Sequence, residues 1–277
     1  MSAVPTIVAG EFTVTAVSDG VLNSTHDVIL GIDKAESVRL TGIPYGQPLP
    51  LDVNCFLIRH RGRLILSDAG SGHTIGPTLG KLPQNLRAIG VTPETIDLIM
   101  LTHLHPDHSL GLIDEAGNAV FPNAELIMHN VEAAFWLDRA AQPGDSERVT
   151  RNTKAQRTVT APYRDRIRRI EDGEVLPGIT AMLRPGHTPG HTNWLIESGG
   201  ERILLWGDIV HLASVQMRHP EATLVFDVEP MLARASRERV LEFSASESLV
   251  VAGAHLPFPG FGRIERAGKG FQFHAAK

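Results

Sequence analysis

The chain has 277 residues, of which 42% are hydrophobic and 21% charged, and its formal net charge is −5. This balance predicts a globular protein with a sizeable core, and the lack of a basic patch argues against nucleic acid as a partner. No run of about 18 apolar residues predicts a membrane span, and the N-terminal stretch lacks the pattern of a secretory signal peptide, so we expect a cytoplasmic protein.

In the first half of the chain, short apolar runs bounded by turn residues predict strands. These runs span 12–17, 53–58, 63–67, 96–102 and 125–128. Two of them, 53–58 and 63–67, form a predicted hairpin, and Cys55 lies in it as a structural thiol. Helical spacing and capping residues predict helices over 84–89, from Thr92-Pro93-Glu94 onward and over 131–141.

The second half repeats the pattern, with predicted strands at 179–184, 192–197, 202–206 and 249–252 and a predicted helix at 230–243. Strands mixed with helices predict an α/β fold whose sheets are covered by helices. Two segments lack a regular pattern. Residues 40–51, rich in proline and glycine, are predicted as an irregular loop and a candidate lid, and 142–162 as a polar loop with a frayed helix.

Four potential metal ligands lie directly after the predicted strand 96–102. They are His103, His105, Asp107 and His108. Neutral imidazole and carboxylate together suit zinc and similar divalent ions. The chain has 13 histidines in all, so a chance cluster of surface side chains is a poor explanation for this spacing. The segment therefore predicts a metal site.

Further ligand candidates follow later predicted strands. His187, Asp208 and His255 each come just after such a run. Strand ends on one edge of a sheet converge, and the neighbouring Gly186 and Gly207 permit tight turns. We expect these three side chains to join the first four at one site.

With this ligand set, most of the chain resembles the metallo-β-lactamase superfamily, whose hallmark is a His-x-His-x-Asp-His motif. The resemblance implies an αββα sandwich: two mixed β-sheets flanked by helices in a single domain over 1–277. It also implies two divalent metal ions at one edge of the sheets, zinc foremost, with manganese, cobalt or iron as alternatives.

The resemblance assigns each ligand a place. The expected ligands of the first metal are His103, His105 and His187, those of the second are Asp107, His108 and His255, and Asp208 is expected to bridge both. Asp68 matches a family aspartate behind the ligands that orients them, the alternative being a simple turn residue. His191 is expected to support the ligands rather than to bind metal.

Two metal ions can share a bridging hydroxide that attacks a carbonyl or phosphoryl group. Asp107 is then expected to carry a proton to the leaving group. His211 stands where related lactonases have a tyrosine that hydrogen-bonds the substrate, so it is either a replacement donor or a supporting histidine. Tyr45, Phe135 and Trp136 are aromatic pocket candidates, although such residues more often pack in a core.

The detailed resemblance is to the lactonase and methyl parathion hydrolase branch. It rests on residues 207–211, 215–216, 219–220 and 252–260. We therefore expect hydrolysis of lactones or esters, with phosphotriesters as additional substrates or, alternatively, as the main ones. The bridging Asp208 argues against a β-lactamase, and the short segment after His255 against a glyoxalase II.

Two other interpretations stay open: an iron-dependent oxidoreductase of the same fold, and a scaffold that has kept its ligands without catalysis. The expected partner is a small-molecule substrate, with no nucleic acid and no membrane. Relatives are often dimers, so a homodimer is expected, with the N-terminal segment and the 40–51 loop as candidate contacts.

Overall fold

The strands of the computed structural model, which describes residues 4–276, range from fully buried to largely exposed. Their bounds are β1 Thr6–Ala9, β2 Phe12–Ser24, β3 Ile29–Leu30, β4 Leu49–His60, β5 Arg63–Ser67, β6 Leu98–Met100, β7 Glu125–His129, β8 Ile167–Ile170, β9 Gly173–Leu176, β10 Ile179–Leu183, β11 Thr192–Ser198, β12 Glu201–Gly207, β13 Thr223–Leu224, β14 Val250–Gly253, β15 Phe261–Ala267 and β16 Gly270–Ala275.

The α-helices are α1 Lys34–Thr41, α2 Leu82–Ala88, α3 Pro106–Ser109, α4 Asn130–Ala133, α5 Glu147–Thr160, α6 Ala213–Gln216 and α7 Pro230–Ser246. Short 3-10 segments span His26–Val28, Pro93–Thr95, Leu110–Leu112 and Ala161–Arg166, and a π-helical turn spans Ala134–Asp138. No helix within 4–276 is both long and apolar enough to cross a membrane.

The strands form two mixed seven-stranded sheets, as predicted. The first has the order β1-β2-β4-β5-β6-β7-β8, and its pairs from β5 to β8 are parallel. The second has the order β16-β15-β14-β12-β11-β10-β9, with β12 and β14 parallel. A short pair of β13 and β3 lies apart from both sheets.

The two sheets pack face to face on a shared apolar core. From the first sheet it contains Ile58 and Met100, and from the second Trp194 and Ile203, all almost fully buried. The outer face of each sheet packs on helices: α2 covers the first sheet and α7 the second. This layering confirms the predicted αββα sandwich.

The predicted loop with a frayed helix over 142–162 is wrong, because α5 is a regular helix across most of it. Ser146 caps its start by accepting a hydrogen bond from the backbone of Val149. The buried face carries Asn152, Gln156 and Thr160, which are polar, so the apolar period that indicates a helix is absent.

Two other boundaries differ from the sequence predictions. The irregular segment predicted over 40–51 is confined to 42–48, because α1 runs on to Thr41 and Gly42, with φ 70°, ends it in a left-handed conformation. The helix predicted over 131–141 is α4 followed by the π-helical turn, and it ends before Arg139.

The core between the sheets generates a stability prediction. Ile58→Ala removes buried methyl groups far along β4 from the strand ends that carry the ligands, so it should lower the melting temperature by on the order of 10 °C. Ile58→Val should lower it far less, and Val8→Ala, at a position that is 57% exposed, should leave it unchanged. Equal melting temperatures for the two Ile58 variants would contradict this packing. Differential scanning calorimetry makes the comparison.

Candidate active site

The predicted ligands lie where strands of the two sheets end at a common edge. His103 and His105 follow β6, and Asp107 and His108 lie in α3 directly after them. From the second sheet, Asp208 follows β12 and His255 follows β14. The loop between β10 and β11 supplies His187. The fold thus brings all seven predicted ligands to one place.

Asp208 is the centre of this cluster. Its Oδ2 lies 3.0 Å from Nε2 of His187 and 3.3 Å from Nε2 of His255. The same oxygen lies 3.6 Å from Nε2 of His103, and Oδ1 lies 3.1 Å from Nε2 of His108. One buried carboxylate therefore faces four buried imidazoles, as expected of a residue that bridges two sites.

The other two ligand candidates complete two groups. Nδ1 of His105 lies 2.8 Å from Nε2 of His187. Oδ2 of Asp107 lies 3.4 Å from Nε2 of His255 and 3.7 Å from Nε2 of His108. The groups that result are His103, His105 and His187 with Asp208, and Asp107 and His108 with His255. A third possible group, which overlaps both, joins His211 to Asp208 and His255.

Hydrogen bonds behind the rings fix which nitrogen faces the cluster. Nδ1 of His255 lies 2.8 Å from the carbonyl oxygen of Asp52, and Nδ1 of His187 lies 2.8 Å from Oδ1 of Asp227. Because these oxygens only accept, each Nδ1 carries a hydrogen, and Nε2 is the nitrogen that can offer a lone pair to a metal ion once its own proton is released. Two ligand candidates are thereby oriented by groups outside the cluster.

Asp68 orients two further rings from behind, in the place that its predicted supporting role requires. Its Oδ2 lies 2.9 Å from Nδ1 of His108, and its carboxylate also accepts hydrogen bonds from the backbone and hydroxyl of Thr102. Since the Thr102 hydroxyl donates to Asp68, it accepts from Nδ1 of His103 at 3.0 Å. Both rings then direct Nε2 lone pairs toward Asp208.

The converging atoms fit metal ions. Within 4–276, Nε2 of His103, His108 and His255 and Oδ1 of Asp208 have no hydrogen-bond partner although all are buried. Acceptors packed against acceptors repel each other unless a cation lies between them. Ligands about 2.1 Å from a tetrahedral zinc ion stand roughly 3.4 Å apart, close to the distances found here. The donor set therefore suits two divalent metal ions.

The titration properties of these groups are mixed. Burial lowers the pKa of His103 and of His105 well below the ordinary histidine value. Burial alone would raise the pKa of Asp208, but the neighbouring His108 and His255 hold it well below its usual range. Neutral imidazole and ionised carboxylate are the forms that bind metal.

The pKa values of the other three rings shift in the opposite direction. Burial alone would lower the pKa of His108, His187 and His255, but neighbouring carboxylates, Asp208 foremost, raise it, to about 9 for His187. Metal binding at these rings therefore releases protons.

His211 lies inside the cluster and is buried. Its Nε2 is 3.0 Å from Oδ2 of Asp208, and its ring stacks on that of His255 with centroids 4.9 Å apart. Gln216 fixes its backbone by accepting from the His211 N–H. Burial above all lowers the pKa of His211 to about 4, so the ring is neutral and carries one N–H.

His191 lies behind the ligands. Its Nε2 accepts a hydrogen bond from the backbone N–H of Asp208 at 3.0 Å, so that nitrogen is not available to a metal. Burial lowers the pKa of His191 to about 3, which keeps the ring neutral and able to accept. This placement agrees with the supporting position expected from the sequence.

Glu132, a buried carboxylate in α4, was not predicted from the sequence. Its Oε1 accepts from the backbone of Leu104 at 2.7 Å and from the indole of Trp136 at 2.8 Å. Its Oε2 accepts from the hydroxyl of Thr188 at 2.7 Å and the backbone of Gly190 at 2.9 Å. Glu132 therefore ties the loop of His103 and His105 to the loop of His187. A glutamate on a predicted helix gives no sequence signal of burial.

Asp227 and Arg237 were also missed. Asp227 accepts from His187, as described above, and its other carboxylate oxygen lies 3.8 Å from a guanidinium nitrogen of Arg237. Arg237 is 1% exposed and donates to the backbone oxygens of Ile209 and Ala222. A buried arginine thus fixes the segment after Asp208. Nothing in the local sequence marks either residue.

A cavity of about 450 Å³ opens onto the cluster. Asp107, His187 and His211 lie on its wall, as do apolar side chains that include Leu22, Leu51, Ile75, Leu110 and Phe226. This volume lies in the range of small-molecule sites. The metal-binding edge therefore has an adjoining pocket for an organic substrate.

The three aromatic pocket candidates lie elsewhere. Tyr45 is 52% exposed and donates to Asp27, Trp136 is buried against Glu132, and Phe135 packs on the helix-covered core. The alternative interpretation, packing in a core, therefore applies to Phe135 and Trp136, and Tyr45 lies at the surface. Phe226, in the segment between β13 and α7, provides an aromatic side chain on the cavity wall.

A sequence model of the metallo-β-lactamase superfamily matches residues 48–255, well over half of the chain. An N-acyl homoserine lactonase of Bacillus cereus is 28% identical over 239 residues, covering 79% of this chain and 86% of the relative. A second N-acyl homoserine lactonase, of Bacillus sp, is 27% identical over 241 residues, with 79% and 86% covered.

Two solved structures resemble this one over nearly the whole chain. A hydrolase of the β-lactamase superfamily, AbOPH, has a TM-score of 0.93 and 32% identity, covering 100% of this chain and 98% of that one. AidC, a dizinc quorum-quenching lactonase in complex with a product, N-hexanoyl-L-homoserine, has a TM-score of 0.90 and 25% identity, covering 99% and 98%.

The four hydrogen bonds of Glu132 generate a prediction. In Glu132→Gln one carboxylate oxygen becomes an NH2 group, which faces donors and loosens one of the two ligand loops. Affinity for zinc should fall about tenfold to a hundredfold while the helical and strand content persists. Competition with a chromogenic chelator and circular dichroism measure the two quantities.

Tyr163→Phe is the control for that variant. It removes a buried hydroxyl bonded to the backbones of Phe121 and Leu112, neither of which carries a ligand. It should lower stability and leave zinc affinity unchanged. Wild-type zinc affinity in Glu132→Gln would show that the carboxylate does not position the loops.

Proposed function

We propose that the chain, which belongs to the metallo-β-lactamase superfamily, is a metal-dependent hydrolase that opens the ester bond of lactones. The observation that carries this proposal is the set of buried lone pairs converging on Asp208 beside a cavity of about 450 Å³. The similarity to N-acyl homoserine lactonases supports a lactone as the substrate.

We propose that His103, His105 and His187 hold one ion, that Asp107, His108 and His255 hold the other, and that Asp208 bridges them. The ions are proposed to be zinc, which suits the mixed nitrogen and carboxylate donors. When bound, they supply a water of lowered pKa and positive charge beside the carbonyl oxygen. The two groups that the structure brings together, His103, His105 and His187 with Asp208, and Asp107 and His108 with His255, support this division.

The chain's own residues complete the reaction. Asp107 is partly exposed on the cavity wall, 3.4 Å from Nε2 of His255, where it can pass a proton to the departing ring oxygen. His211 directs an N–H toward the centre of the cluster, where the carbonyl oxygen of a bound lactone would lie. The acyl C–O bond breaks, water supplies the new C–O bond, and the product is a hydroxy acid.

Phosphotriester hydrolysis is the second proposed activity. It needs the same attacking water and the same positive charge at the oxygen of the electrophile. The apolar wall formed by residues such as Leu51 and Phe226 suits uncharged triesters as well as lactones. His211 stands where related lactonases have a tyrosine, so the side chain that would hydrogen-bond the substrate differs from theirs.

A cytoplasmic location and a homodimer remain proposals. Val4, Val8 and Tyr45 are 43%, 57% and 52% exposed and lie in the N-terminal segment and the 42–48 loop. Exposed apolar groups in these segments support their use as a contact between two copies.

Metal removal tests the main proposal. Protein dialysed against a chelator should lose turnover of N-acyl homoserine lactones, and added zinc should restore it with two equivalents bound per chain. Aryl esters and phosphotriesters complete the panel, and an oxygen electrode should register no consumption, in contrast to an iron-dependent oxidoreductase. A protein that holds two metal ions and turns over none of these compounds would falsify the proposal.

A second test concerns His211. If its N–H stabilises the reacting oxygen, His211→Ala should lower kcat about a hundredfold or more with two metal ions still bound. His211→Tyr, which restores a donor, should recover part of that loss, whereas His211→Phe should not. Unchanged kcat in His211→Ala removes the residue from the mechanism, and loss of a metal ion would make it a ligand. Steady-state kinetics and elemental analysis distinguish these results.

A further inference from the structure

The helix α5 presents a polar face to the cavity. Arg148, Arg151, Asn152 and Ala155 line the cavity and follow one another at helical spacing. The helix is joined to the metal-binding edge, because Gln156 accepts a hydrogen bond of 2.7 Å from Ser109 at the end of α3. The position of this face relative to Asp107 and His108 is therefore fixed.

Arg148 is held in place at the cavity wall. It is half-buried, its Nη1 donates to the backbone oxygen of Val225 at 2.9 Å, and its guanidinium carbon lies 5.0 Å from the ring centroid of Phe226. Burial, together with the charge of Arg151, lowers the pKa of Arg148. These contacts orient the guanidinium group but do not neutralise its charge.

No carboxylate within 4–276 forms an ion pair with Arg148 or Arg151. By contrast, Arg139, Arg168 and Arg169 each pair with an acidic side chain. Asn152 is 4% exposed and lines the cavity beside Arg151. Two guanidinium groups without a carboxylate partner in the described chain and one side-chain amide thus line the same cavity.

No ion pair balances the charge of either guanidinium group in this part of the described chain. Two neighbouring positive charges repel each other, and Arg148, which is half-buried, has lost part of the water that would screen its charge. Arginine forks bind planar carboxylates through paired hydrogen bonds, and an amide N–H adds a third donor. A neutral acceptor would satisfy the donors but would leave both charges uncompensated.

We propose that Arg148, Arg151 and Asn152 form a subsite for a carboxylate carried by the substrate, away from the bond that is cleaved. The inference rests on the proposed function and narrows it. The substrate class is a lactone or ester with an anionic side chain, whose apolar part lies along Leu110 and Phe226 while its charged end reaches α5. Cleavage would take place at the metal centre, and the side chains on α5 would determine which substrate binds well.

The experiment compares γ-lactones that carry an alkyl side chain ending in a carboxylate with the same lactones ending in a neutral carboxamide, over four to eight methylenes. The zinc-loaded wild type should favour the best carboxylate by about tenfold to a hundredfold in kcat/KM. The preference should fall with added salt, since it depends on charge. Arg151→Gln and Arg148→Gln should abolish it and leave turnover of the carboxamide within about threefold.

Arg164→Gln is the matched control, because it removes an exposed arginine that does not line the cavity. It should keep the full preference. Asn152→Leu should weaken the carboxylate more than the carboxamide. Equal kcat/KM for the two lactones in the wild type, or an unchanged preference in Arg151→Gln, overturns the subsite.

Calorimetric binding of the same two lactones to metal-free protein tests the subsite without turnover. The carboxylate should bind more tightly than the carboxamide in the wild type and equally in Arg151→Gln. If no lactone is hydrolysed but this difference is found, the proposed function fails and the subsite stands. If lactones are hydrolysed and no difference is found, the subsite fails and the proposed function stands.

Discussion

The structure depends on one unfavourable arrangement: ring nitrogens that present lone pairs are packed against the buried carboxylate of Asp208. The sheets bring these groups together, and the hydrogen bonds behind the rings prevent them from turning away. Only positive charge between the groups relieves their repulsion. Because the unfolded chain has no such cluster, binding of metal ions should contribute directly to the stability of the folded state.

Several ties make this arrangement persist, and each joins two parts of the fold. Asn54 in the first sheet donates to the backbone oxygens of Gly253 and Leu256, on either side of His255. Gly207, with φ 53°, lets Asp208 turn inward, and a Cβ atom there would lie 2.7 Å from Nε2 of His191. The ligands are therefore held by contacts between the two sheets and not by any one loop.

The ligands were predictable because their signal is local. His103 to His108 follow a clear apolar strand, and His187, Asp208 and His255 each come just after a later predicted strand. The sheets were predictable for the same reason, since period-2 and fully apolar runs survive in a single sequence. Glu132 and Asp227 could not be predicted, because their roles depend on contacts between segments far apart in the chain.

The failure to predict α5 has a physical cause that bears on function. A helix that packs only on the core shows an apolar stripe, but α5 turns Asn152 and Gln156 inward and Arg148 toward the cavity. Burying such a face is unfavourable unless each polar group finds a partner. The side-chain oxygen of Gln156 accepts a hydrogen bond from Ser109, but its nitrogen has no partner in the described chain, and Arg151 forms no ion pair there. The polar character of this face, which kept α5 from being predicted, is therefore what we expect of a cavity wall whose hydrogen-bond partners are supplied by a bound molecule.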